Sequence, residues 1–409
     1  MAMFEVEHDA DRTLASGRRA YVLSPSTGGW QRGAGGREGD LNAIELTREL
    51  LRINTINPTH PERPCAEKVA GLLEAAGYSV SLHEFAPGRT SVWAALEGAG
   101  APLCLAGHLD TVPLGGARWS KDPFAGEVDG PKLYGRGASD MKSGVAAMVA
   151  AALEVARLPN RKAGLTLALV AGEETGCEGS AHLARTVRLG RAGALVVGEP
   201  TGNRPVIGHK GALWLRARTS GVTAHGSMPH QGVNAIYKAA RAALQLEEIR
   251  FDVTPDPLLG APTLNVGTFS GGININSVPD EAMIGIDVRT IPAQRHADVR
   301  ALLARVLGPD VELTPIVDVE GVRTPESDSF VRRVCEAAAN VTGQPAEPGA
   351  ATYFTDASVL TPALGAPPTV VLGPGEHDQC HKTDEWCRTD RIEQAVDIYT
   401  SVARAWCER

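Results

Sequence analysis

The chain has 409 residues, 43% hydrophobic and 22% charged, the balance of a soluble globular protein of about two domains. A formal net charge of −8 argues against a partner held through nucleic-acid phosphates, and no stretch reaches the roughly 20 apolar residues of a membrane-spanning helix. Seven cysteines without a CxxC pair, and a first 40 residues without an apolar secretory core, lead us to expect a reduced, cytoplasmic protein.

Residues 1–40 differ from the rest: STGGWQRGAGGREGD is Gly-rich and polar and reads as a flexible linker. From Leu41 the apolar spacing of LNAIELTRELLRI predicts a helix, CAEKVAGLLEAAGY a second helix stopped by Gly77, and YSVSLHEF a strand. SGVAAMVAAALEVARL is a third helix, Ala-rich and therefore closely packed. Between these lie short apolar runs bounded by Gly and Pro, namely PLCLAGHLDTVP, LTLALVAGEE, ALVVGEP and TVVLGPGEHDQCH, which read as buried strands of a mostly parallel sheet. Strands alternating with helices imply a three-layer α/β body over 41–207 and 319–409.

The rhythm changes near Gly208. GALWLRARTSG alternates as a strand with one wet face, VNAIYKAARAALQLEEI is helical, APTLNVGTFSGG and EAMIGIDVRTI are strands, ADVRALLARVL is a helix and DVELTPIVDV a last strand. This β-α-β-β-α-β order predicts an inserted ferredoxin-like domain over 208–318. FVRRVCEAAANVTG returns to the α/β body as a helix.

The chemistry-bearing residues sit where the apolar runs end, and open α/β sheets bind ligands at the carboxyl ends of their strands. His108 and Asp110 leave one face of a strand end, which suits a metal-bound imidazole whose other nitrogen is held by the carboxylate; a plain His–Asp loop bond explains them equally well. Asp140 follows a Gly-rich turn before a helix, as a ligand, a helix cap, or both. Glu173 and Glu174 close a strongly apolar run between Gly172 and Gly176. One glutamate on a metal and one free as a base would relieve their repulsion, whereas two surface glutamates are the bland account. Glu199 lies between Gly198 and Pro200, and His381 in a polar loop with His377, Asp378, Asp384 and Glu385. Carboxylates and imidazoles together are the ligand set of a hydrolytic zinc centre. Cys380 beside His381 reads as a small buried residue. The glycines of GRGASDMKSG do not fit GxGxxG, so a flavin or nicotinamide enzyme has no support.

The ordered motifs GHLDTVP, WSKDPFAGEVDGPKLYGRGASDMKSG, AGEETG, GEPT and HKTDEW resemble those of the dinuclear zinc amidohydrolases and exopeptidases that include acetylornithine deacetylase, succinyl-diaminopimelate desuccinylase, aminoacylase and glutamate carboxypeptidase. The resemblance runs from Leu41 to the C-terminus. It implies two Zn²⁺ per subunit, replaceable by Co²⁺, one held by His108 and Glu199, the other by Glu174 and His381, with Asp140 bridging and a cis peptide after it. It implies amide hydrolysis by a metal-bridging hydroxide with Glu173 as general base; Asp110, read above as the carboxylate behind His108, is counted with the catalytic residues. The inserted domain becomes a lid and homodimerisation domain. Its His225, in TAHGSMPHQGVNA, reaches the partner subunit's active site, while Asn276 and Arg289 bind the substrate carboxylate or oxyanion side; His230 is left at the surface. The family's Gly-rich substrate loop reads here GAATYFTDAS, with Thr355 at substrate but Tyr353 and Phe354 where small residues are usual, which would narrow the pocket. The expected substrate is an N-acyl amino acid; the alternatives are a di- or carboxypeptidase with a short peptide substrate, and a non-catalytic metal-binding protein.

Overall fold

The computed structural model describes residues 41–159 and 161–408; the linker expected over 1–40 lies outside them. The main sheet runs in the order Ser79–Ala86, Arg89–Leu96, Ala163–Val170, Gly100–His108, Ala194–Val197, Thr369–Val371, Val206–His209, Val322–Arg323, with Gly349–Ala351 also paired to Val206–His209. The four strands from Ala163–Val170 to Thr369–Val371 are mutually parallel, and the flanking strands Arg89–Leu96 and Val206–His209 pair with them antiparallel. The parallel part is the part read from the continuous apolar runs, because strands covered on both faces need no polar alternation.

Successive residues of these strands feed two cores. Leu103, Leu105, Leu167, Leu169, Val196 and Val370 face one core, with the helices Arg63–Ala75, Lys142–Ala156, Ser329–Thr342 and Thr389–Cys407. Cys104, Ala106, Ala168, Val170, Leu195, Val197 and Val371 face the other, with Leu183 of Glu178–Thr186 and Leu360 of Ala357–Ala363. Each fully buried Leu or Val stabilises the fold by about 1.5–3 kcal/mol. The three layers follow from this division.

A second sheet, ordered Thr263–Gly271, Glu281–Thr290, Gly211–Ser220, Val311–Val319, is antiparallel throughout and is covered by the helices Ala235–Glu247 and His296–Leu307 around their own core. In chain order its strands read 2-3-1-4, the ferredoxin-like arrangement. The change of sheet falls at Gly211 rather than Gly208, because Val206–His209 still pairs within the main sheet. At Gly211 the outgoing and returning segments touch: a Cβ there would lie 2.4 Å from Thr290 Oγ1 and 2.6 Å from Gly321 N, so only glycine fits the crossing. No helix among the described residues is long and apolar enough to cross a membrane.

Candidate metal centre

The parallel strands end along one edge, and their following loops converge there. His108 closes its strand; Glu173 and Glu174 follow Val170 by three and four residues, and Glu199 follows Val197 by two. Gly172 (φ +71°) and Gly176 (φ +113°) take the positive-φ positions of the turn that presents the two glutamates. Asp140 arrives from the far side, just before the buried helix Lys142–Ala156, but Met141, not Asp140, is that helix's cap. The Asp140–Met141 peptide is cis.

Two donor sets form, His108–Asp140–Glu199 and Asp140–Glu174–His381, each with donor atoms within 4.8 Å of one another. Asp140 belongs to both. Its Oδ1 lies 3.0 Å from His108 Nε2 and its Oδ2 3.5 Å from His381 Nε2; Glu199 Oε1 is 3.8 Å from His108 Nε2, and Glu174 Oε2 is 3.0 Å from His381 Nε2. Ligands about 2 Å from a shared tetrahedral ion lie roughly 3–4 Å from each other, so the spacing fits. Glu174 Oε1 and Glu199 Oε1 are buried without a hydrogen-bond partner, which a cation would supply.

The electrostatics agree. Burial pushes the Glu174 carboxyl up to about 7, with the Asp140 charge adding to it. Burial likewise raises Glu199 and Glu173 well above the usual carboxylate range. Bonds to Asp140 and Glu174 lift His381 to about 10. Burial alone would lower His108, but the Glu199, Asp140 and Asp110 charges outweigh it and raise it well above its ordinary value. Burial would raise Asp140, yet its bonds to both histidines hold it far below the usual range. Buried carboxylates this close repel one another, a repulsion that divalent cations would relieve.

Several supports differ from the sequence expectation. His108 Nδ1 faces the backbone carbonyl of Asp110 at 3.0 Å, while the carboxylate is 3.7 Å away. That carboxylate instead accepts the N–H groups of Glu173 and Glu174 at 3.1 Å each and the Asn57 amide, so Asp110 organises the glutamate turn. Among the described residues no hydrogen bond or ion pair engages the Glu173 carboxylate, although it is buried. Glu385, named in sequence only as one of the polar residues around His381, is sealed from solvent and accepts the N–H groups of Gly137 (3.0 Å), Ser139 (2.8 Å) and Asp140 (3.0 Å). Its neighbour Trp386 pairs with Tyr134 in a small three-stranded sheet, a strand signal too short to read from sequence. Cys380 is half-buried, its thiol 3.8 Å from the Glu376 carbonyl.

The expected substrate groups are scattered. Thr355 is fully buried, with its hydroxyl 3.2 Å from His209 Nε2 and accepting the Ala357 N–H. His225 and Asn276 come together on the exposed rim of the second sheet, where the Gly226 N–H donates to the Asn276 carbonyl; His225 Nδ1 lies 2.7 Å from Ser227 Oγ. His230 is exposed nearby. Arg289 is half-buried, with Nε 2.9 Å from Asp287 Oδ1 and its guanidinium 5.8 Å from the Trp214 ring centre.

The sequence profile of peptidase family M20/M25/M40 matches residues 104–405. The chain belongs to this family. It is thereby a metal-dependent amide hydrolase with the family's α/β body and smaller second sheet. An acetylornithine deacetylase of Klebsiella pneumoniae (strain 342) is 30% identical over 388 residues, covering 89% of this chain and 97% of the relative. Another, from Edwardsiella ictaluri (strain 93-146), is 33% identical over 322 residues, 76% of this chain and 82% of that one. Among solved structures, an M20 family metallo-carboxypeptidase from Sulfolobus solfataricus superposes with a TM-score of 0.76 at 20% identity, covering 90% of this chain and 99% of that one.

Proposed function

We propose that this M20-family chain is a deacylase that removes an acyl group from an N-acyl amino acid, in the manner of acetylornithine deacetylase or succinyl-diaminopimelate desuccinylase. The observation that carries the reading is Glu173: a buried carboxylate with no partner, beside two donor sets that share Asp140. The similarity to acetylornithine deacetylases over 89% of the chain favours a deacylase over a peptidase.

His108, Asp140 and Glu199 would hold one Zn²⁺ and Asp140, Glu174 and His381 the other, with Co²⁺ as substitute. Bound there, two divalent cations supply Lewis acidity, which polarises the amide carbonyl and makes water easier to deprotonate. Glu173 takes the proton of the attacking water and delivers it to the departing amine. Asp110 holds the glutamate turn in register during that transfer. His225, offered by a partner subunit, donates to the oxyanion, and Asn276 beside it assists. Arg289 pairs with the free carboxylate of the amino acid, a planar two-point match.

The second sheet serves as lid and homodimer contact. Thr263–Gly271 is one of its two edge strands, and beside it Ile273 and Ile275 are 92% and 104% exposed, with Tyr237 and Leu244 also out in solvent. Seven free cysteines fit a reducing cytoplasm.

A panel of N-acetyl amino acids, N-succinyl amino acids and dipeptides, assayed with chelator-stripped and Zn²⁺- or Co²⁺-reloaded protein, tests this. Metal-dependent turnover of an N-acyl amino acid is expected. Turnover of dipeptides alone would replace the deacylase by a peptidase; turnover of nothing would leave a binding protein. Mixed dimers of Glu173→Ala and His225→Ala chains should regain activity, and verified mixed dimers that stay inactive would remove the shared site.

A further inference from the structure

We infer that Tyr353 is the residue that limits the size of the acyl group, so that the substrates of this chain are N-acyl amino acids with short acyl chains such as formyl, acetyl or propionyl. This rests on the amide-hydrolase reading of the site and adds a specificity determinant to it.

Tyr353 stands in a loop of the α/β body, after Gly349–Ala351 and before Ala357–Ala363. Its ring stacks on His377 with centroids 5.0 Å apart and planes 24° apart, and its hydroxyl lies 3.4 Å from the Pro200 carbonyl. Pro200 directly follows the donor Glu199, and His377 leads into the loop that carries the donor His381. The ring therefore spans two of the loops that deliver donors. Burial raises its phenol, and the Glu199 and Asp140 charges add to that, in keeping with a place between these loops.

The next residue points the other way. Phe354 meets Trp214 of the second sheet edge-on, centroids 6.1 Å apart, and Trp214 lies under Arg289. Consecutive side chains of this loop thus part: Phe354 packs toward Trp214 and Arg289 of the second sheet, and Tyr353 toward Pro200 and His377 of the body. If the amino-acid half of the substrate extends toward Arg289, its acyl half lies against the Tyr353 ring. An aromatic ring stacked on one side and hydrogen-bonded at its tip cannot swing away cheaply, since moving it gives up both contacts and its buried area. Each methylene too many in a closed pocket typically lowers kcat/KM by roughly 10–200-fold.

The test measures kcat/KM for N-acetyl, N-propionyl, N-butyryl and N-hexanoyl derivatives of one amino acid, with Gly- and Phe-headed dipeptides in parallel, on the metal-loaded full chain. Wild type, Tyr353→Ala, Tyr353→Leu and Tyr353→Phe are compared at equal metal content. The wild type should fall steeply from acetyl to hexanoyl. Tyr353→Ala should raise the hexanoyl-to-acetyl ratio by about tenfold or more, the scale of one methylene's discrimination. Tyr353→Leu, which keeps bulk if the alanine variant folds poorly, should give an intermediate ratio, and Tyr353→Phe should keep the wild-type ratio. A ratio in Tyr353→Ala or Tyr353→Leu within twofold of wild type, or a wild type indifferent to chain length, overturns the assignment. Cleavage of dipeptides alone would remove the deacylase reading, and the Gly-to-Phe preference of wild type and variants would then decide the role of Tyr353 by the same criterion; no cleavage of either class overturns both.

Discussion

The carboxylate of Glu385 and the guanidinium of Arg136 meet at 2.6 Å with both side chains sealed from solvent. The pair joins two distant segments: Arg136 Nη2 also donates to the Pro113 carbonyl, and Glu385 accepts the Asp140 N–H. The loop presenting the shared aspartate is thereby tied to the loop presenting His381, four residues before Glu385. Glu385→Gln should leave Arg136 as an uncompensated buried charge and cost about 3–5 kcal/mol. Metal affinity should fall by roughly 10–100-fold, as it does when a ligand loses its support. Thermal melts and metal titration of chelator-stripped protein measure both, and wild-type affinity in the variant would show that Asp140 holds its place unaided.

Asp110 is the corresponding support for the opposite wall. With two carboxylate oxygens it takes two consecutive backbone N–H groups, those of Glu173 and Glu174, and so sets base and ligand together. Asp110→Ala frees both at once. Turnover and metal affinity should drop in parallel, each by about 10–100-fold. A loss of turnover at unchanged metal affinity would instead confine Asp110 to the base.

The parallel strands and the residues at their ends were legible in sequence because burial on both faces leaves uninterrupted apolar runs, and the acids that stop such runs stand out. The ferredoxin-like order was legible because half-buried strands alternate. Its boundary was displaced by three residues because Val206–His209 reads alike whichever sheet it joins. Glu385 was not legible: in HDQCHKTDEW a buried brace and its solvated neighbours are the same residue types, and the partners that bury it lie nearly 250 positions away. Asn57 was missed for the same reason, and the inward turn of the Thr355 hydroxyl was not legible because a motif match does not say which face of its loop a hydroxyl takes.

A pH effect on stability follows from His209. Burial lowers its imidazole from 6.5 to about 4, with only the Lys210 carbonyl favouring the charged form. As pH falls from 6.5 toward 4, the unfolded chain binds a proton that the folded chain refuses. The stabilisation is thus complete above the unfolded value, shrinks across that window, and amounts to about 3 kcal/mol. His209→Gln, which can still bond Thr355, should lose less stability than wild type when urea midpoints at pH 7 and pH 4.5 are compared. Equal losses in the two proteins would mean that His209 protonates freely in the fold.

The adjacent glutamates separate a metal-holding role from a proton-carrying one. Glu174 Oε2 lies 3.0 Å from His381 Nε2 within a donor set, whereas the Glu173 carboxylate takes no partner among the described residues and only its backbone is held, the N–H by Asp110 and the carbonyl by the Gly176 and Cys177 N–H groups. Glutamine keeps the size of each side chain but neither binds a cation as carboxylate does nor accepts a proton at neutral pH. Glu174→Gln should therefore lose metal on dialysis, and turnover with it. Glu173→Gln should keep the wild-type metal content while kcat falls by about 10²–10⁴-fold, the span of general-base contributions. Metal analysis beside steady-state kinetics distinguishes the two. Were Glu173→Gln to shed its metal as Glu174→Gln does, the base would have to be sought elsewhere, because outside the donor sets the other buried carboxylates among the described residues, Glu62, Asp110, Asp356 and Glu385, are each already bonded.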